Sequence, residues 1–167
     1  MLDDDMELPI YRLIDDYYFL SNFSPAKVVL PAEEKFNLPA MEFDTLENGY
    51  MAFRTVDLEV RKHIQSIKPN QAKRMSINKD IPIRKGYTDS SRFLSMVMLV
   101  NQKFSNLNPQ LIPMILATKN RRIIEGNWHN DTFFGFCLKT GKGHDYLGLI
   151  IENRRKRLMQ DQLLSVA

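Results

Sequence analysis

The chain has 167 residues, 44% of them hydrophobic and 26% charged, with a formal net charge of +3 and a pI near 9.0. These values fit one ordinary globular domain and exclude a wholly disordered chain or a membrane-resident one. An acidic start, Met1-Leu2-Asp3-Asp4-Asp5, where an export signal would be basic, and a single cysteine, Cys137, point to a cytoplasmic, reducing setting without disulfides.

Residues 1–10 read as an N-terminal extension. Tyr11 to Ile14 and Lys27 to Leu30 are predicted as short strands around the polar turn Ser21-Asn22 and Ser24-Pro25, with a further extended piece at Lys35 to Leu38. Asp44-Thr45 supplies N-cap chemistry for a helix carrying Leu46, Tyr50 and Phe53 at helical spacing. Asp57 caps a second helix with Leu58, Ile64 and Ile67, which Pro69 closes, and Asn70 to Met75 forms a third turn or helix. Pro82 and Gly86 mark a loop bearing Arg84, Lys85 and Tyr87. The clearest helix starts near Thr88-Asp89, with the stripe Phe93, Met96, Val97, Val100 and Phe104; its densest apolar run is far too short to span a bilayer. Asn108-Pro109 opens another helix through Leu116, with Pro113 inside it. Ile123-Ile124 and Phe133 to Leu138 read as strands around the turn Gly126 to Asp131. A final helix runs from Tyr146 to about Gln160. The class is α+β, mainly helical, in one domain over 11–158 with a tail at 159–167, since no repeat or linker appears.

Metal and nucleophile patterns are weak. His63, His129 and His144 are isolated, Cys137 reads as a buried inert thiol, and no Gly-x-Ser-x-Gly elbow exists. Neither a metal nor a cofactor is expected. Glu47, three residues after Asp44, has capping-box spacing; the same placement would also hold a carboxylate rigidly at a pocket mouth. Asp131 fits plain turn chemistry, yet Trp128, Phe133, Phe134 and Phe136 crowd the same segment as a base-stacking pocket would require. The loop Thr140 to Asp145 places Gly-Lys-Gly-His before a helix, as a turn or an anion contact. The cations Arg154, Arg155, Lys156 and Arg157 read as a solvated helix end opposing the dipole, or as a nucleic-acid contact.

Six ordered segments resemble the NADAR, or YbiA-like, family. Phe19-Leu20-Ser21-Asn22-Phe23 is similar to its FLSNF opening, and Glu42 to Arg54 to its T-x-E-H-x-x-Q-A-x-K helix. Ile83 to Tyr87 resembles its L-R-x-D/N-W loop, and Lys103-Phe104 with Leu116-Ala117-Thr118 its KF…LLxT pair. Ile124-Glu125 with Asn130 to Gly135, and Gly141 to Gly148 through Arg154, resemble LVE…ND-x-x-WG and G-x-G-x-N-x-L-G…R. The family's histidine and glutamine are Asn48 and Met51 here, its tryptophans Tyr87 and Phe134, and its last-loop asparagine Asp145.

The resemblance implies a mainly helical α+β fold and metal-independent hydrolysis of an N-glycosidic bond to ribose. The implied substrates are phosphoribosylamino-pyrimidine intermediates of riboflavin synthesis, or ADP-ribose on guanine in nucleic acid, with no membrane partner. It carries the key carboxylate onto Glu47 and the turn carboxylate onto Asp131. Tyr87 and Phe134 would stack on the base; Arg54, Arg84, Lys85 and Lys142 would meet phosphates. Ser21, Asn22, Phe23, Gly135, His144 and Asp145 complete the expected substrate-binding set. A module that binds ADP-ribose or a nucleotide without turnover is the alternative.

Overall fold

In the computed structural model, which describes residues 8–166, strands β1 (Pro25–Leu30) and β2 (Met41–Thr45) pair antiparallel. Residues 1–5 lie outside the described residues. Burial alternates along both strands, the signature of a sheet with one face on a core. Then follow α1 (Leu46–Phe53), α2 (Leu58–Ser66), α3 (Pro69–Ile77), α4 (Asp89–Lys103), α5 (Leu111–Ala117), β3 (Gly126–Asn127), β4 (Phe136–Cys137) and α6 (Tyr146–Val166). Helices dominate and each sheet has two strands, so the class is α+β, mainly helical. Among the described residues no helix is long and apolar enough to cross a membrane.

The chain clusters into two compact units: Asn22–Asn108, and the segments up to Ser21 and from Pro109 onward. In the first, α1 is the hub. It packs on both strands and on α2, α3 and α4, and seven of its eight residues are buried. Gly49 permits this closeness, because a Cβ there would lie 2.8 Å from Val28 Cγ2. The outer edge of β1 is closed by side chains. Asn108 bonds both main-chain polar groups of Lys27 (2.7 and 2.9 Å), and Gln102 does the same for Val29 (2.6 and 2.9 Å). Two carboxamides, serving strand positions i and i+2, thus stand in for a third strand.

In the second unit, Ile10 bridges Ile123, β3 pairs parallel with β4, and α5 packs on α6. Tyr11 to Ile14 forms no strand: pairing stops at Ile10, and Asp15 (φ 51°) turns the chain into the 3-10 helix Asp15–Leu20. Lys35 to Leu38 is likewise not extended, because left-handed Asn37 and the 3-10 turn Glu34–Phe36 close a Glu33–Leu38 bridge.

Four further expectations shift. The buried stripe of α4 is Ser95, Met96, Leu99, Val100 and Lys103, while Phe93 and Val97 are only half-buried. Asn108 closes β1 instead of capping a helix, so α5 begins at Leu111 and Pro113 falls in its first turn, where no amide donor is needed. Of Phe133 to Leu138 only Phe136–Cys137 is strand, and Gly126–Asn127 of the predicted turn is its partner. Finally, α6 extends to Val166, so Arg154 to Arg157 lie mid-helix; Arg155 is buried and donates to Thr118 Oγ1 (2.8 Å), which removes the helix-end account of this run.

Asn108→Ala leaves the polar groups of Lys27 unsatisfied and should lower the unfolding free energy by about 2–3 kcal/mol in urea titrations. Asn106→Ala, at a neighbouring exposed position, should change it by less than about 0.5 kcal/mol.

Candidate functional site

The first turn of α1 is fixed from three directions. Its N-cap is Thr45, not Asp44, because the alternation of β2 turns Asp44 outward and Thr45 inward. Thr45 Oγ1 accepts from the Asn48 amide (3.2 Å) and donates to Asn48 Oδ1. Asn48 Nδ2 then donates to the carbonyls of Ile64 (2.6 Å) and Ile67 (2.8 Å), at the C-terminal end of α2. Glu47 is therefore the second helical residue, outside any capping box, and its backbone amide donates to the carbonyl of Asn22 (2.9 Å). Asn22 is itself buried, with Nδ2 3.6 Å from Met96 Sδ. This places the predicted Asn22-Phe23 segment directly on the helix that carries Glu47. Glu47 is 4% exposed.

Positions i, i+3 and i+7 of a helix share a face, which aligns Glu47, Tyr50 and Arg54. Tyr87 closes on this face. Its hydroxyl donates to Tyr50 Oη (3.2 Å), and its ring lies 5.8 Å from Arg54 Cζ and 6.4 Å from the Phe53 ring. Burial, and then the Tyr50 hydroxyl, push the Tyr87 phenol well above its ordinary pKa, so it stays neutral. Arg92 also hydrogen-bonds Tyr50. Arg54 Nη1 donates to Ser76 Oγ, and Arg84 donates its backbone amide to the carbonyl of Arg54 (2.8 Å). The Arg84 guanidinium sits 4.7 Å from the Phe53 ring and pairs with Glu33 Oε2 at 2.7 Å. Lys85 is exposed beside it, and Lys73 Nζ lies 5.4 Å from the Phe23 ring. Glu47, Asn22, Phe23, Arg54, Arg84, Lys85 and Tyr87 thus all belong to one unit.

Ser21, Asp131, Phe134, Gly135, Lys142, His144 and Asp145 belong to the other. There Asn127 shapes the turn, its side chain bonding the backbone of Asp131 through both amide atoms (2.8 and 3.0 Å). The Asp131 carboxylate accepts from the Phe133 amide (3.2 Å), an Asx turn. Phe134 is buried edge-on against Phe133, at 4.8 Å between centroids. Gly135 serves close packing, since a Cβ there would come within 2.6 Å of Asn127 Nδ2. His144 stacks on Tyr146 (5.0 Å, 7°) and is exposed, as is Lys142. Ser21 donates its amide to Tyr18 (2.9 Å) at the end of the 3-10 helix.

Asp145 has a structural post. It is buried in left-handed backbone (φ 52°), with Oδ1 accepting from the Glu125 amide at 2.9 Å. Oδ2 has no hydrogen bond and faces Arg122 Nη2 at 3.7 Å. Burial pushes its carboxyl up to about 6, despite the Glu125 amide and Arg122.

Residues not anticipated from sequence include Glu33, Asn48 as a tie to α2, Tyr50 as a partner of Tyr87, and Arg61. Arg61 carried a signal: it falls on the apolar stripe Leu58–Arg61–Ile64, where a charge needs a buried partner. Lys103 is also fully buried, its Nζ donating to Ser24 Oγ (2.8 Å). Among the described residues no three His, Cys, Asp or Glu side chains gather as a metal site requires.

The NADAR domain family model matches residues 11–159. The NMR structure of the E. coli protein YbiA superposes with a TM-score of 0.72 at 23% identity, covering 96% of this chain and 92% of that one. No curated protein sequence matches.

The raised carboxyl of Asp145 has a definite consequence for stability. A carboxyl whose folded pKa lies above its unfolded value disfavours the fold where it must ionise, above about pH 6, and that penalty fades as pH falls toward 4. Asp145→Asn keeps the acceptor for Glu125, while Arg122 retains Glu152 at 2.7 Å. The variant should therefore melt higher than wild type at pH 8, with the difference shrinking as pH falls from about 6 toward 4 in thermal scans.

Proposed function

Because the chain belongs to the NADAR family, we propose that it hydrolyses the N-glycosidic bond between a ribose and a nitrogen base, in a phosphorylated or ADP-ribose-like substrate. The observation that supports this most is the shared face of α1, where Glu47, Tyr50 and Arg54 align and Tyr87 bridges the last two. A carboxylate, a neutral aromatic hydroxyl and a guanidinium are the three chemistries that a sugar cation, a base and a phosphate call for.

Departure of the base leaves an oxocarbenium-like charge on the ribose C1 atom, as in O-glycoside cleavage. In the proposed mechanism Glu47 stabilises that charge and orients or deprotonates the attacking water. Its second helical position suits an anion, since the helix dipole is positive there. The water oxygen bonds to C1, its proton passes to Glu47, and the base leaves with the electron pair of the broken bond. Tyr87 stacks on the base, and Arg54, Arg84 and Lys85 receive the phosphates. No electron transfer is involved, so the reaction itself calls for no redox cofactor. The proposed substrate is either a free ribosylated compound or ADP-ribosylated guanine in nucleic acid.

Binding without turnover is the second reading, favoured by Asn48 and Met51. The side chain of the first is committed to the carbonyls of α2, and the second is buried. Calorimetry with ADP-ribose beside chromatography of released base separates the two: binding without product selects the module.

Glu47→Gln, which keeps the size of the side chain and removes its charge, should leave the melting temperature within a few degrees and lower kcat by about 10³-fold or more. Normal turnover in this variant excludes the mechanism.

A further inference from the structure

The segment 33–38 is a closed loop. Glu33 and Leu38 exchange backbone hydrogen bonds (2.9 and 3.2 Å), and Asn37 turns the chain in left-handed conformation (φ 52°). From this loop two side chains reach Arg84. Glu33 Oε2 accepts from Arg84 Nη2 at 2.7 Å, and the Phe36 ring lies 5.6 Å from its Cζ. With Phe53 at 4.7 Å, two rings and one carboxylate hold the guanidinium. The other Glu33 oxygen accepts from Arg61 Nη2 at 2.7 Å. Arg61 is fully buried and spends its Nε on the carbonyl of Thr55 (2.9 Å). A chain of fixation therefore runs from the Thr55 carbonyl through Arg61 and Glu33 to Arg84.

Arg61 and Arg84 are two cations on the one carboxylate of Glu33, so the group keeps a net positive charge that favours an anion. A buried nitrogen remains without a hydrogen bond on each, Nη1 of Arg61 and Nε of Arg84, and Nε of Arg54 is left in the same state. Burial alone would raise the carboxyl of Glu33, but hydrogen bonds from Arg61 and Arg84 outweigh it and hold the group below its usual range. It stays ionised at neutral pH. An arginine fork recognises phosphate through paired donors, and holding the long side chain in one rotamer removes the ordering cost on binding.

Resting on the reading of Arg54 and Arg84 as phosphate ligands, we propose that Glu33 and Phe36 are positioning residues for phosphate recognition, holding Arg84 ready for the substrate's phosphate, with buried Arg61 fixing Glu33. They touch no reacting atom. Their effect is on affinity for the phosphate group.

Inorganic pyrophosphate titrated calorimetrically into the full chain tests this without turnover, so failure of the hydrolytic assignment leaves the result interpretable. Wild type should bind, and Glu33→Gln should weaken binding about tenfold or more. Phe36 is 43% exposed, so Phe36→Ser spares the fold and should weaken binding about threefold to tenfold. It decides the matter if Glu33→Gln fails to fold. In an Arg84→Ala background the same substitutions should change affinity no further, because they act through Arg84. The proposal is overturned by absence of pyrophosphate binding to wild type, by unchanged or tighter binding in the variants, or by an equal loss in the Arg84→Ala background.

Discussion

Helix α1 is short, but it is enclosed by two strands and three helices, and the candidate chemistry depends on how its first turn is held. A helix that begins inside a core must find partners for amides that water cannot reach. Here Thr45 serves the amide of Asn48, and the Asn22 carbonyl serves that of Glu47. Asn48 then carries the constraint outward to the end of α2. A carboxylate at the second position of such a helix has little freedom. That rigidity is what transition-state stabilisation by a fixed charge requires.

Around this helix the unit accumulates buried and half-buried cations, and its architecture absorbs each differently. Arg61 and Arg84 share Glu33, Lys103 finds Ser24, and Arg54 and Arg84 lie against aromatic rings. Breaking one partner of a buried charge is costly, whereas a charge resting on rings with open donors can exchange partners with a ligand. Exposure marks the difference: Arg61 is fully buried, whereas the Arg84 side chain is partly exposed. The same division holds in the other unit, where Asp145 and Arg155 are committed to the fold and His144 and Lys142 are exposed.

The helices were largely legible because their signals are local. Asp57, Thr88 and the apolar spacing of α1 and α4 announce elements without tertiary information. Elements that rest on remote partners were not. Asn108 looks like a helix cap until Lys27 supplies both its hydrogen bonds, and Tyr11 to Ile14 looks like a strand although only Ile10 has a pairing partner. Of the pair Asp44-Thr45, strand alternation selects Thr45 as the cap of α1. At the candidate site, the ordered family motifs led to Glu47, Arg54, Arg84 and Tyr87. Glu33 was invisible because nothing near it in sequence announces Arg61 or Arg84, 28 and 51 residues away.

The central claim is chemical: water replaces a base at ribose C1. Incubating the protein with a panel of ribosylated compounds, ADP-ribosylated guanine included, in ¹⁸O-labelled water and analysing products by mass spectrometry tests it most directly. The account predicts a free base together with a sugar product carrying one heavy oxygen at C1. Intact panel compounds throughout, or base release with unlabelled sugar, would contradict it.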